Sequence, residues 1–228
     1  MRILAVDTAT ISCSVAIVDG GSLTAEFTLN RKETHSKHLM EMIDTILKIS
    51  GSDLSGVDGF AVTKGPGSFT GLRIGISTIK GLAAASGKPI VGVSSLKALA
   101  AQVPLSPDLI CPLIDARKGE VYFSRYRFIN GRLKKQTEEQ VTRPENALAD
   151  LNESCLFVGN GARLYEDIIL KKLGILASFA PMTHNTIRAS AVAHLSLAKF
   201  SDKKTDKIEN FSPHYIRRSD AELKIENT

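Results

Sequence analysis

The chain has 228 residues, 43% of them hydrophobic, and a formal net charge of +5 from 29 Lys and Arg against 24 Asp and Glu. That length allows one domain or two small lobes around a real core, and no run of 18 apolar residues exists to span a bilayer, so no membrane partner is expected. Tryptophan is absent and aromatics are 6%, which leaves no stacking platform of the kind RNA readers use.

Three widely spaced cysteines, Cys13, Cys111 and Cys155, suit a reducing cytoplasm and suggest neither a disulfide framework nor a zinc site. An acid at Asp7 comes too early for a signal peptide, so a cytoplasmic protein is expected.

Residues 2–7 read as a strand ending at Asp7, followed by a small polar turn, Thr8-Ala9-Thr10. Ser12 to Val18 is a second strand, with Val15 and Ile17 on one face. Asp19-Gly20-Gly21 signals a hairpin, and alternation resumes from Leu23 to Leu29. The expectation is a three-stranded meander whose first turn carries an aspartate. Thr34 to Ile49 reads as one helix. Its apolar residues Leu39, Met40, Met42, Ile43, Ile46, Leu47 and Ile49 cover about half the circumference, wider than one core-facing stripe. Either the helix is deeply buried, or a flank such as Met40 with Leu47, or Met42 with Ile49, meets a partner.

The densest punctuation follows. Gly59 to Thr63 reads as a buried strand, and Lys64-Gly65-Pro66-Gly67-Ser68-Phe69-Thr70-Gly71-Leu72-Arg73-Ile74-Gly75 joins it to a helix ending near Ser86. Gly65 and Gly67 are expected to adopt backbone angles closed to other residues. Ser68 and Thr70 are candidate caps for the helix, whose first N–H groups lack partners. Such a loop either binds an anion, docks a partner or simply turns the chain. Its glycine spacing is one residue too long for a dinucleotide fingerprint, no Gly-Lys-Ser/Thr follows, and Ser68 lacks the flanking glycines of a nucleophile elbow. Leu72, Ile76, Ile79 and Ala83 share one helix face, and Gly71 and Gly75, one turn apart, permit another backbone to come close.

Pro89 to Val93 is the next strand, Ser94-Ser95 caps a helix through about Gln102, and Pro104 to Pro107 breaks the chain. Then the order repeats. Leu109 to Ile114 is a strand ending at Asp115, Glu120 to Phe128 a second, and Asn130-Gly131 a hairpin turn with a return from Leu133. Pro144 to Leu151 reads as a short helix, Cys155 to Val158 as a strand, Gly159-Asn160-Gly161 as a loop, and Arg163 to Leu173 and Asn185 to Phe200 as helices. Lys203, Lys204, Lys207, Arg217 and Arg218, interrupted by Asp202, Asp206, Glu209 and Asp220, read as a solvated charged tail. The division expected is an N-terminal lobe over residues 1–103 and a smaller C-terminal lobe with its tail over 104–228.

GPGSFTGLRIG and an N-terminal ILAVDTAT are joined, in order, by Asp115-Ala116-Arg117-Lys118-Gly119-Glu120-Val121-Tyr122, Gly159-Asn160-Gly161-Ala162 and Pro213-His214-Tyr215-Ile216-Arg217. This ordered set, spanning nearly the whole chain, resembles the TsaB (YeaZ) family, relatives of TsaD in the bacterial synthesis of threonylcarbamoyladenosine on tRNA. The resemblance implies an α/β, two-lobed actin/sugar-kinase/Hsp70-like fold with a reduced second lobe. It implies a non-catalytic scaffold subunit, a TsaD-like partner, a TsaE-like ATPase in a larger complex, a homodimer when alone, and indirect contact with tRNA. It fixes no cofactor and leaves room for weak ATP or ADP binding.

Asp7 and Asp115 at matching strand ends are where nucleotide-using members of that superfamily hold magnesium or orient water, although a strand-end aspartate also simply caps a turn. The binding residues expected, for a partner or a degenerate anion site, are Asp7, Gly65, Gly67, Ser68, Thr70, Gly71, Arg73 and Asp115. The interface expected is Leu39, Met40, Met42, Ile43, Leu47 and Gly75. No metal ligand is assigned: His35 and His38 stand at i and i+3, not in the HxxxH form of TsaD-like enzymes. The other reading kept open is a free-standing small-molecule kinase or ATPase, which should show a full phosphate loop and a complete second lobe.

Overall fold

The structure, a computed structural model, describes residues 1–31, 33–103 and 106–217. Pro104 of the predicted break and Arg218 and Asp220 of the charged tail lie outside them. The first sheet is built from β1 (Arg2–Asp7), β2 (Ser12–Asp19), β3 (Ser22–Asn30), β4 (Gly59–Gly65) and β5 (Ile90–Ser94), with α1 (Leu39–Ile49), α2 (Phe69–Ser86) and α3 (Ser95–Gln102) between or after them. Its order is β3-β2-β1-β4-β5: the antiparallel meander extended by two parallel strands.

The second sheet follows the same plan. It contains β6 (Leu109–Arg117), β7 (Glu120–Phe123), β8 (Tyr126–Ile129), β9 (Arg132–Lys135), β10 (Gln140–Thr142), β11 (Cys155–Val158) and β12 (Ala177–Phe179). Its main path is β10-β7-β6-β11-β12, again three antiparallel strands continued by two parallel ones, with β8 and β9 as a side hairpin off β6. The helices α4 (Pro144–Ala147), α5 (Asn160–Leu164), α6 (Glu166–Leu173) and α7 (Ala189–Ser201) complete it. The two-lobed α/β architecture and the duplicated element order expected from the sequence are both present.

Strand alternation divides the side chains among three cores. Leu4, Val6, Val15, Ile17, Phe60 and Val62 point toward α1 and α2. Ile3, Ala5, Ala16 and Ala61 point the other way, onto a layer made of Leu96 and Leu99 from α3 and Val192, Ala193 and Phe200 from α7. That middle layer also takes Ile110, Ile114, Tyr126 and Val158 from the second sheet, so one continuous core joins the lobes. Leu109, Cys111, Leu113 and Val121 face α4 and α6 in the third.

Several boundaries differ from expectation. The helix at 34–49 begins only at Leu39, because His35 starts a 3-10 turn and is buried with its Nε2 2.8 Å from the Thr10 carbonyl. The strand at 120–128 is two strands. At its break the Ser124 hydroxyl donates to the Thr137 carbonyl (2.7 Å) and the Arg125 amide to Thr137 Oγ1 (3.0 Å), and the strand changes partner from β10 to β9. The helix at 163–173 is broken at Tyr165, and the last helix starts at Ala189 rather than Asn185, whose side chain accepts the Gly159 amide.

The split at 103/104 also needs correction. After the second lobe the chain returns to the first: α7 packs on β1, β2, β4 and β5. Residues 206–217 then form a strap rather than a solvated tail. It covers the outer edge of β5: the Asp206 amide donates to Ile90 O (2.9 Å), and Gly92 N–H donates to the Asp206 carboxylate (2.8 Å). Further along, Phe211 enters the first core, its carbonyl takes the Lys80 ammonium (3.1 Å), and the His214 amide donates to Lys64 O (2.6 Å). Arg217 ends the strap on the second lobe, donating to the Ala116 carbonyl (3.0 Å) and pairing with Glu120.

Removing the Phe211 ring empties a site that the strap alone fills. Phe211→Ala is expected to cost about 3 kcal/mol of unfolding free energy, read by urea denaturation. A loss under about 1 kcal/mol would mean that the strap adds little to the first core.

Candidate functional site at the lobe junction

The turn after β1 sets the floor of the cleft. Asp7 is fully buried, and its Oδ1 accepts from the Thr63 hydroxyl (2.7 Å) and the Ala9 amide (3.1 Å). Its Oδ2 has no partner. Burial is the dominant influence and pushes the Asp7 pKa up to about 7, against the smaller opposing effect of the two hydrogen bonds. A buried carboxylate with an orphaned oxygen is costly, so burial favours the protonated acid. The neighbouring Cys13 thiol is pushed up to about 12 by burial and then by Asp7, which makes it an inert thiol.

Thr8 and Ala9 are pressed onto the glycine loop. The Thr8 hydroxyl donates to Gly71 O (2.8 Å) and the Ser68 amide to Ala9 O (2.7 Å). A methyl at Gly67 would stand 2.3 Å from the Ala9 carbonyl oxygen, at Gly71 2.1 Å from the Thr8 carbonyl oxygen, and at Gly75 2.3 Å from the Thr8 hydroxyl. The close approach expected at Gly71 and Gly75 is therefore made by this chain's own turn, and Gly75 is withdrawn from the interface. Gly65 has φ +117°, as expected, but Gly67 does not have a positive φ; its constraint is space. Ser68 caps α2 by accepting the Gly71 amide (3.3 Å), whereas Thr70 is an exposed residue within the helix.

Two adjoining cavities lie between the lobes. One, of about 260 Å³, runs between Thr10, Ser68 and Phe69 on one side and Asp115, Arg117 and Asn160 on the other. The second, of about 730 Å³, shares Thr10, Ser68, Asp115, Arg117 and Asn160 and adds Arg31, His35, Thr70 and Gly71. Asp115 thus lines the cleft, while Asp7 lies beneath it. The Asp115 carboxylate is already engaged: Oδ1 accepts the Arg117 amide (2.8 Å), and the Arg117 guanidinium stands 3.5 Å from Oδ2. Lys118 and Gly119, at φ 55° and 75°, form the two-residue turn between the paired Arg117 and Glu120, the geometry of a primed hairpin. Gly159 is pinned against the Leu113 carbonyl, where a methyl would stand 2.4 Å away, and Asn160 accepts the Asp115 amide (3.2 Å).

Arg73 is not in this cleft. Its guanidinium lies 3.8 Å over the Phe69 ring and donates to the Tyr215 hydroxyl (3.0 Å), and Phe69 stacks on Tyr215 at 4.7 Å. It anchors the strap to α2, a role its sequence position alone did not show. His35 bonds Thr10, while His38 faces Glu33 at 2.7 Å. The two rings do not converge, and the described residues contain no group of three or more His, Cys, Asp or Glu able to hold a metal.

On α1, Leu39 and Ile43 are withdrawn from the interface, because both are buried in the first core. Met40 and Ile49 are exposed at 52% and 60%, and Met42 and Leu47 are half-buried beside that core. The outward side of α2 carries Ser77, Gly81, Ala84 and Ala85, and the space where a Gly81 side chain would stand is open. This row was not singled out in the sequence; only the exposed face of the folded helix reveals it.

Two outcomes follow from this geometry. Raised to about 7 in the fold against 3.8 when exposed, Asp7 adds stability that is full below about pH 4 and is lost as pH rises through 7, up to about 4 kcal/mol. Asp7→Asn, neutral throughout, should flatten the dependence between pH 4 and 7 in urea denaturation; parallel curves for both proteins would refute the buried proton. Gly67→Val should destabilise by more than about 2 kcal/mol through collision with Ala9, and a melting temperature equal to the wild type would show that the loop yields.

The TsaD family model, described as tRNA N6-adenosine threonylcarbamoyltransferase, matches residues 22–225. The chain is 35% identical over 233 aligned residues to the tRNA threonylcarbamoyladenosine biosynthesis protein TsaB of Escherichia coli (strain K12), covering 99% of this chain and 98% of that one. The structure of YeaZ from Pseudomonas aeruginosa superposes with a TM-score of 0.80 at 27% identity, covering 94% of this chain and 99% of that one. Ethanolamine utilization protein EutJ from Carboxydothermus hydrogenoformans, at TM-score 0.55 and 13% identity, covers 85% of this chain and 90% of its own, and shares the fold alone. The duplicated sheets are those of the actin/sugar-kinase/Hsp70-like fold, and the chain belongs to the TsaB (YeaZ) family.

Proposed function

We propose that this chain is a non-catalytic subunit in the synthesis of threonylcarbamoyladenosine on tRNA, docking a TsaD-like enzyme and completed by a TsaE-like ATPase. The observation that carries this reading is full-length similarity to TsaB combined with the state of the two strand-end aspartates. Phosphoryl transfer depends on positioned cations and free carboxylates at the reacting phosphate. Here one aspartate is sealed below the cleft and the other is engaged by Arg117. The kinase or ATPase alternative has no such observation in its favour. A nucleotide in the cleft would act as a bound effector rather than a substrate.

The docking face is the outer side of α1 and α2. Exposed Met40 and Ile49, with half-buried Met42 and Leu47, supply adaptable apolar area, and the small row at Ser77, Gly81, Ala84 and Ala85 lets a partner helix come close. A specific contact of this kind buries more than about 1,000 Å². Because the TsaD family model matches this chain, a TsaD-like enzyme presents a related face, and two copies of this chain pair through it when that enzyme is absent.

Met40→Glu or Leu47→Glu should shift the free chain from dimer to monomer by sedimentation and weaken capture of the TsaD-like protein by at least tenfold. Retained dimers in both variants would remove this face. In reconstitution with threonylcarbamoyl-adenylate, leaving out the chain should abolish tRNA modification. Steady ATP turnover by the chain alone, lost in Asp115→Asn, would overturn the scaffold reading.

A further inference from the structure

Beneath the strap lies a cavity of about 400 Å³ whose walls include Lys64, Lys207 and His214. Two carboxylates are nearby, and both are engaged. Asp206 accepts the Gly92 amide at 2.8 Å. Glu139 accepts from Ser94 and from the Tyr126 hydroxyl and stands 3.9 Å from the His214 ring. The Lys64 and Lys207 ammonium groups have no such partner among the described residues.

The cationic ground continues past Gly92. The Lys64 stem lies against that glycine, 2.8 Å from where its side chain would begin, and Lys199 of α7 donates to its carbonyl at 3.1 Å. Beyond it, α3 packs on α7 and β9 and carries half-buried Lys97; burial, and then the like charges of Lys199 and of Lys134 on β9, push its pKa down. Lys97 and Lys134 have no carboxylate partner among the described residues.

We propose that the row running from the strap cavity through Lys64 and Lys199 to Lys97 and Lys134 is a docking face for the phosphodiester backbone of RNA. Five ammonium groups, those of Lys64, Lys97, Lys134, Lys199 and Lys207, stand against the two carboxylates of Asp206 and Glu139, and a polyanion relieves the remaining repulsion while releasing its own condensed counterions. A protein partner would call for aromatic or apolar anchors at the centre. On the cavity wall Phe211 is buried in the core, and the His214 imidazole, 54% exposed, is the ring left to solvent. The contacts that the lysines offer go to the phosphodiester backbone, which positions the RNA and reads no sequence. The inference rests on the reading above that the chain works in a tRNA-modifying complex.

The test is binding of unmodified tRNA to the complex reconstituted with the TsaD-like and TsaE-like proteins, by fluorescence anisotropy across a salt series. Lys64→Gln, Lys97→Gln and Lys134→Gln are combined, since none of these ammonium groups holds a bond among the described residues. The expected result is an affinity at least tenfold weaker, a salt slope reduced by about two, and unchanged complex assembly by size exclusion. Equal affinity and slope would overturn the proposal, and so would loss of assembly, which would make the row a protein contact. Failure of the pathway reading is separate: it appears as tRNA modification that persists when the wild-type chain is omitted.

Discussion

Everything at the lobe junction depends on how closely the Thr8-Ala9 turn is seated on the start of α2. Three glycines, at 67, 71 and 75, leave room for it, and any side chain there would occupy the space of the Thr8 or Ala9 backbone or the Thr8 hydroxyl. Seating the turn removes Asp7 from water and places its carboxyl against Thr63. Burying an acid with one unbonded oxygen disfavours its ionised form and raises its pKa. A turn packed this way keeps the Asp7 carboxyl below the cleft rather than on its wall. Glycine spacing therefore decides where the first strand-end aspartate lies relative to the cleft.

A second constraint is the exposed edge of β5. An unpaired strand edge invites association with another chain. Here the strap and Lys199 take up the edge groups: Asp206 bonds Ile90 and Gly92, and Lys199 takes the Gly92 carbonyl. The same strap stacks Tyr215 on Phe69 and carries Arg217 to the second lobe. Edge protection and lobe coupling are thus one device. The continuous middle core of α3 and α7 acts in the same direction, since domain motion is the default only when an interface is small or polar.

The element order was legible because it is written in local chemistry. The Asp-Gly-Gly hairpin, the Ser68 and Ser94 caps and the apolar runs before each glycine loop each signal their element without reference to the rest. The duplicated plan followed from that order. What was not legible depends on distant partners. His35 could not be separated from α1 without knowing that the Thr10 carbonyl lies beside it. The break at Ser124 reflects Thr137 across a hairpin. Three-residue strands such as β10 and β12 carry too little pattern to be seen. The glycine pair was legible as a close approach, but not that the approaching segment was the chain's own turn. Likewise the amphipathic breadth of α1 was plain, while the assignment of Leu39 and Ile43 to the core required the sheet.

The two strand-end aspartates show how one topology placed twice arrives at two environments. In the first lobe the segment after the aspartate is small, Thr8-Ala9, and sinks against glycines, taking the carboxyl with it. In the second, Ala116-Arg117-Lys118-Gly119 is long and charged, so it cannot sink. It turns back as a hairpin and leaves Asp115 at the cleft wall beneath its own arginine. Matching positions on matching strands therefore do not imply matching roles. One carboxyl is part of the packing, and the other holds a cationic turn. The strap ends on that turn through Arg217, with Glu120 as the second anchor. Arg117 lines both cavities, and the hairpin that carries it is tied through the strap to the edge of the first sheet.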